Sequence, residues 1–219
     1  MAGGVRFKFA GSKIEVAVGT GATKTITAIS KASPAVVTAT AHGLASGDVV
    51  KLAAILGMTE LNGQAAVINV LTANTFELLG IDSTGYGTYV SGGTAAPVTF
   101  SNMCELTGYN RQGGTSPEID ATTICSTAAE SETGLPDYGT TQLDFNFAPR
   151  TTIQVAIKAA YSAGNILPVR VTLPKDGGYM VQLGTVQQTS EQASVGGLWT
   201  GSLTIKNTGE RFDIAAVTP

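Results

Sequence analysis

Apolar and polar side chains alternate with a period of two along much of this chain, the spacing that sets one face of a β-strand against a core. In VRFKFAGSKIEVAV (5–18) the alternation comes in two runs around Gly11-Ser12. Phe7 and Phe9 share one face and Ile14, Val16 and Val18 another, which predicts a hairpin ended by Gly19-Thr20-Gly21. From Ile29 to Ala95 the runs shorten, and 35–40, 49–53, 65–71, 75–79 and 88–90 read as strands. Turns separate them at His42-Gly43, Ser46-Gly47-Asp48, Asn62-Gly63, Ala73-Asn74, 82–87 and Gly92-Gly93, where Gly and Asn tolerate positive φ. This stretch, entered and left by Ser/Ala/Gly-rich sequence, reads as a compact β module inserted into a longer β domain.

After Pro97 the strands lengthen: VTFSNMCELTGY, PEIDATTIC and TTQLDFNFAP each read as β, with STAAESETGLPDYG as a loop between the last two. The period then changes once. Ile153, Ile157, Ala160 and Tyr161 recur at three- and four-residue steps, Pro149 suits a first turn, and Gly164-Asn165 suits a helix end. Beyond it, 169–173, 179–186 and 201–206 return to β. One helix among many strands predicts a mainly β fold, a barrel or sandwich with one packed α-helix, plus a small inserted all-β domain.

Composition agrees with that pattern. Only 13% of the 219 residues are charged, against about 25% in typical globular chains, while Gly counts 27. A net charge of -3 argues against a protein that neutralises nucleic-acid phosphates. Two cysteines, Cys104 and Cys125, are too few for a disulfide scaffold, and the expectation is a pair of buried free thiols. No apolar run approaches the ~20 residues that span a bilayer, so no membrane anchor is expected. MAGGVRFKFAG lacks the apolar stretch of a signal peptide, which points to synthesis and use in a cytoplasm.

Candidate chemistry is thin. TATAHGLASGDVVKL (38–52) holds the only histidine, His42, close to Ser46 and Asp48. A nucleophile, its base and an orienting group normally come from separated parts of a chain, whereas these three sit on one strand end and turn. His42 reads instead as holding its turn. One histidine and two distant cysteines give no metal-ligand spacing. GTGATKT (19–25) lacks the spacing of a phosphate loop and no long helix follows it. No catalytic, cofactor or metal site is expected, and the chain is not read as an enzyme. Charge distribution says more: between 105 and 144 lie Glu105, Glu118, Asp120, Glu130, Glu132, Asp137 and Asp144 against one base, Arg111. Bases gather elsewhere, at Arg6, Lys8, Lys13, Lys24 and Lys31 and at Arg150 and Lys158. Such separation suits a surface that repels a polyanion, or head-to-tail contact between identical copies.

The residues carry a resemblance. PEIDATTICSTAAESETGLPDYGTTQLDFNF, with the helix PRTTIQVAIKAA and the tail LWTGSLTIKNTGERFDI, resembles the tail tube proteins of long-tailed bacteriophages. The matching motifs are Ile119-Asp120-Ala121-Thr122, Gly134-Leu135-Pro136-Asp137-Tyr138-Gly139, and a late Gly209 before the last strand. This likeness covers 1–28 and 97–219. The segment 29–96 is similar to a different unit, a small β module of phage virion proteins itself described as similar to a domain of ubiquitin-activating enzymes. Its motifs are Ala41-His42-Gly43-Leu44, Gly47-Asp48-Val49-Val50, Gly57-Met58-Thr59-Glu60-Leu61-Asn62-Gly63, Asn74-Thr75-Phe76-Glu77-Leu78 and Tyr89-Val90-Ser91-Gly92-Gly93. No cysteine lies within it, so the likeness implies a fold and no thioester chemistry.

The resemblance implies a structural virion protein, assembled in the host bacterial cytoplasm, whose hexameric rings stack into a tube that conducts the genome. Implied partners are other copies of the chain, a tape measure protein, and tail terminator and tip proteins. Double-stranded DNA would pass through the lumen without specific binding. The loop with Glu130, Glu132, Leu135, Asp137 and Tyr138 would reach the adjoining ring. Glu105, Glu118, Asp120 and Asp144 are candidates for an acidic lumen or interface. The inserted module would decorate the outside. The rival reading is a tail-tip or decoration protein whose module binds a host-surface glycan, which the 6% aromatic content supports little.

Overall fold

A computed structural model describes residues 6–215, so Val5 of the first alternating run lies outside the described residues. In chain order the strands are β1 (Lys13–Thr20), β2 (Lys24–Thr25), β3 (Ala28–Ile29), β4 (Ala35–Thr38), β5 (Val49–Leu56), β6 (Ala65–Thr72), β7 (Thr75–Leu78), β8 (Ser91–Asn102), β9 (Leu106–Arg111), β10 (Glu118–Asp120), β11 (Ser131–Thr133) and β12 (Thr140–Asn146). Helix α1 (Thr152–Ala163) follows, then β13 (Val169–Thr172), β14 (Tyr179–Gln182), β15 (Gly184–Gln192), β16 (Thr200–Asn207) and β17 (Phe212–Ile214). The fold is mainly β with one helix among the described residues, and that helix is not long or apolar enough to cross a membrane.

The strands form three antiparallel sheets and no closed barrel, which corrects the barrel half of the expectation. The largest has the order β17-β14-β13-β1-β8-β5-β6-β7-β4-β3, with β2 also on β8. The second is β15-β16-β12-β9, and the third is the pair β10-β11. Leu183 is the crossing point between two of them: β14 lies in the large sheet and β15, one residue later, in the four-stranded one. The run 179–186 therefore reads as one strand in sequence but serves two layers.

Two cores result. Ile14, Val16, Leu143, Phe145, Leu203 and Ile205 fill the space between the four-stranded sheet and its facing strands. Ile153, Ile157 and Ala160 of α1 cover the same core, as their helical spacing predicts. Tyr161 does not join them and stays half exposed. The helix starts at the Thr151 hydroxyl, which accepts from the Gln154 N–H, and ends at Gly164 in the left-handed conformation, φ 63°. Pro149 thus lies just before the cap and outside the first turn. The second core, with Leu52, Ile55, Met58, Leu61, Phe76 and Leu78, belongs to the segment between Ile26 and Ala95. Each such fully buried side chain contributes roughly 1.5–3 kcal/mol.

The two bodies share a strand. β8 pairs with β2 and β5 along its first half and with β1 along its second, from Val98↔Thr20 to Asn102↔Glu15. Gly92 and Gly93, expected as a turn, lie inside β8 with φ 73° and 96°, beside Ala54 of β5, itself at φ 58°, and the register of the pair is the same on both sides of it. A junction core of Val49, Val67 and Val181, flanked by Phe100, Tyr179 and Phe212, joins the bodies. The Tyr179 hydroxyl donates to the Ser46 carbonyl at 2.9 Å, and the Arg170 guanidinium lies 4.5 Å from the Phe100 ring centre. Gly47, φ 89°, sits directly under the Tyr179 ring. Gly47→Val should cost roughly 2–5 kcal/mol, from about 1–2 of left-handed strain and about 1–3 of overpacking. Urea unfolding would read it as a lowered midpoint, with proteolysis quickened near 46–48. An unchanged midpoint would mean that the junction does not bear on stability.

Several strand expectations are corrected. Residues 6–12 form no strand; Phe7 lies against Gly177 instead, and both Phe7 and Phe9 are exposed. VTFSNMCELTGY breaks at Met103, whose N–H turns back to the Ile14 carbonyl. The run 88–90 precedes its strand and leaves Val90 exposed. Cys104 and Cys125 are both exposed free thiols, which corrects the expectation of burial.

Candidate assembly surfaces

The four-stranded sheet has one apolar face and one polar face, because β12, β16 and the start of β15 alternate buried and outward-facing residues. Its outer face is laid out in cross-strand rows by the pairing register: Asn110, Gln142, Thr204 and Gln188; then Gly108, Asp144, Ser202 and Ser190; then Asn146, Thr200 and Gln192. A last row holds Thr140, Lys206 and Thr185. Hydroxyls and amides dominate. The Ser190 and Ser202 hydroxyls lie 2.7 Å apart, and Gln142 Nε2 donates to Asp144 Oδ1 at 3.0 Å. Lys206 is held by Asp137, so Asp144 is the one charge on this face without an ionic partner among the described residues.

The sheet is open at both sides. β9 pairs only with β12, and β15 only with β16 apart from a bridge near its start, Ile166↔Thr185. An edge of unpaired N–H and C=O groups is an invitation to another strand, and a lone soluble domain normally covers or blunts it. Two projections flank the edges. Residues 112–139 form an arm with no buried residue, stiffened by the β10-β11 hairpin and the Thr115↔Asp137 bridge. It carries exposed Ile119, Ile124 and Leu135. The β15-β16 hairpin, exposed throughout 187–200, carries Val195, Leu198 and Trp199, with Trp199 tilted on Phe147 at 5.9 Å.

The candidate residues from sequence fall into three places. Glu118, Asp120, Glu130, Glu132, Leu135, Asp137 and Tyr138 all lie on the arm; Asp144 is on the outer face of the four-stranded sheet; Glu105 is in the turn between β8 and β9. Glu132 stands opposite Ile119, and the Tyr138 carbonyl accepts from Asn207 Nδ2 at 3.0 Å. The hydroxyl rows and the β15-β16 projection escaped sequence reading. QQTSEQ, in the outer half of β15, has no apolar alternation to reveal a strand; its signal was only the absence of Gly and Pro before Ala193.

Asp137 anchors the base of the arm. Its carboxyl is held below the usual carboxylate range, first by the hydrogen bond from Lys206 and then by the Gly139 N–H at 2.8 Å. Because the folded state lowers this pKa, the anchoring is complete above the unfolded value of about 3.9 and is lost as pH falls through the lower folded value. Amide protection at Gly139 should fall in that acid window, relative to amides elsewhere in the sheet. Asp137→Asn should show the lowered protection already at neutral pH, and equal protection in the two proteins would contradict the anchoring role.

In the inserted segment, His42, Ser46 and Asp48 have separate partners. His42 Nδ1 accepts from the Leu44 N–H at 3.0 Å and Nε2 faces the Thr72 carbonyl at 3.1 Å. The Ser46 hydroxyl accepts from Val70 N–H and donates to Asn69, while Asp48 accepts from the Ala45 N–H. Asn74 caps the same turn by accepting from the Ala41 N–H at 2.8 Å. Among the described residues no group of His, Cys, Asp or Glu is arranged to hold a metal ion.

With these surfaces in place, comparison gives two likenesses. Residues 32–99 match a family profile described as the ubiquitin-activating enzyme E1 FCCH domain. Among solved structures, the chain is similar to one from the tail of an empty GTA particle, obtained by helical refinement with C6 symmetry. The identity is 14% and the TM-score 0.43, over 53% of this chain and 87% of that one. No curated protein matches the chain.

Proposed function

We propose that the chain is a structural virion protein, the subunit of a phage tail tube, in which hexameric rings stack around a channel for the genome. The observation that carries this reading is the four-stranded sheet: two open edges, an apolar face turned inward and a face of hydroxyl and amide groups turned out. Pairing of β9 of one copy with β15 of the next would remove both edges at once and join the sheets into a continuous wall. The polar rows would then line the channel, with Asp144 as a repeated carboxylate that keeps DNA phosphates from adhering. Exposed Ile124, Leu135, Val195 and Leu198 are side chains that a solitary subunit would leave in water. The FCCH-like segment sits outside that sheet and joins the subunit through β8 and the Tyr179 junction. The motifs Ile119-Asp120-Ala121-Thr122 and Gly134-Leu135-Pro136-Asp137-Tyr138-Gly139 agree with the same family.

Negative-stain microscopy and sedimentation of the purified chain test the reading. Hollow tubes or six-fold rings are expected. A stable monomer retained on a glycan column would instead support the tail-tip or decoration alternative and would sink the tube.

A further inference from the structure

We propose that the arm of one copy docks on a basic, aromatic patch formed by residues 6–13 and the β13–β14 turn of the next copy. The inference rests on the tube reading and names the surface that receives the arm. The arm holds Glu118, Asp120, Glu130, Glu132 and Asp137 and no Lys, Arg or His. Lys206 neutralises Asp137, and the other four have no ionic partner among the described residues. A projection with four free carboxylates and exposed Ile119, Ile124 and Leu135 needs a partner that is both basic and apolar.

The described residues offer such a surface. Phe7 packs on Gly177 and Gly11 lies beside Pro174, so residues 6–13 run along the turn between β13 and β14. This lays Arg6, Lys8 and Lys13, on the same segment as exposed Phe7 and Phe9, along the turn that carries Lys175. Asp176 is the one acid within the turn. Glu15, close by on β1, is already held by both nitrogens of Arg170 at 2.8 and 3.1 Å and so does not neutralise the patch.

Their placement makes the contact intermolecular. The turn precedes Tyr179 at the start of β14. The base of the arm lies at the other end, where Arg111 Nε donates to Gln182 at 3.3 Å, Asn207 N–H to the Gly139 carbonyl and Thr208 N–H to the Leu183 carbonyl. Complementary surfaces at the two ends of β14 suit head-to-tail contact between identical copies.

Charge exchange tests this. Glu130→Lys with Glu132→Lys gives an arm variant, and Lys13→Glu with Lys175→Glu a patch variant. Each alone should need about tenfold more protein, or greater, to form stacks in sedimentation. Mixed together they should stack again, because the basic arm of one fits the acidic patch of the other. Rings should persist in both variants, since β9 and β15 are untouched. Normal stacking by either variant, or failure of the mixture to recover, would overturn the proposal. So would a patch variant that stacks normally and loses affinity only for added duplex DNA. A second readout is independent of ring formation. In Cys104→Ser, Asp176→Cys protein, a short bismaleimide should join Cys125 of one copy to the new thiol of another and give a ladder of covalent oligomers. Absence of the ladder while rings form removes the docking and leaves the tube reading; a ladder without rings does the reverse.

Discussion

Asp144→Arg protein should assemble as the native chain does and then hold duplex DNA that the proposed native tube would release. Asp144 points away from the core of the four-stranded sheet, in the row with Gly108, Ser202 and Ser190. Gly108 opposite leaves room for a long side chain to lie over the sheet, so folding should be unaffected. In the proposed wall this position would recur once per copy around every ring. Native carboxylates there would repel phosphates, whereas guanidinia would pair with them and release counterions. Retention of DNA by the variant should therefore fall steeply as salt rises, the signature of phosphate contacts. Asp144→Asn separates the two effects, because it removes repulsion without adding attraction. It should bind DNA weakly or not at all. Assembled Asp144→Arg tubes that leave DNA as free as the native ones do would show that this face does not line the channel.

His42→Ala should destabilise the inserted segment by about 3 kcal/mol or more, from a lost large side chain and two orphaned backbone groups. His42 is 1% exposed and meets Phe76 edge-on at 5.2 Å between ring centres. The Leu44 amide can only donate and the Thr72 carbonyl can only accept, so Nδ1 is the acceptor and the proton sits on Nε2. Removing the ring takes the partner from both of these partly buried contacts and opens a cavity against Phe76. The turn would lose its fixed point, since Ala41 and Gly43 both take positive φ, 47° and 62°. Chemical denaturation followed at the segment's tyrosines, Tyr86 and Tyr89, would measure the loss. A cost below about 1 kcal/mol would show that the surrounding turn holds itself.

His42 also illustrates what could be read before the fold was known. A histidine between turn residues, without a separated nucleophile or acid, already pointed to a structural part, and its hydrogen bonds supply the reason. Helix α1 was legible for a similar cause: its apolar spacing and Gly164 are local signals, and local signals survive in sequence. What failed depended on contacts far along the chain. The run 179–186 alternates without a break, yet Leu183 carries it from one sheet to another. Phe7 and Phe9 alternate like a strand, but their neighbour is the β13–β14 turn rather than a sheet edge. Within the arm, PEIDATTIC was expected as a strand and only Glu118–Asp120 of it is one, while β11 lies in the stretch expected as a loop, because it is three residues long and wholly exposed and burial left no periodic mark. The candidate acids were found as a cluster in sequence and are parted in space, with Asp144 on the sheet, Glu105 in a turn and the rest on the arm.

Electron cryomicroscopy of the assembled chain tests the central claim most directly, through the position of the four-stranded sheet. The account predicts a continuous inner wall in which β9 of each copy hydrogen-bonds to β15 of the next and Asp144 faces the channel. A monomer, or an assembly with β9 and β15 unpaired and Asp144 on the outside, would contradict it.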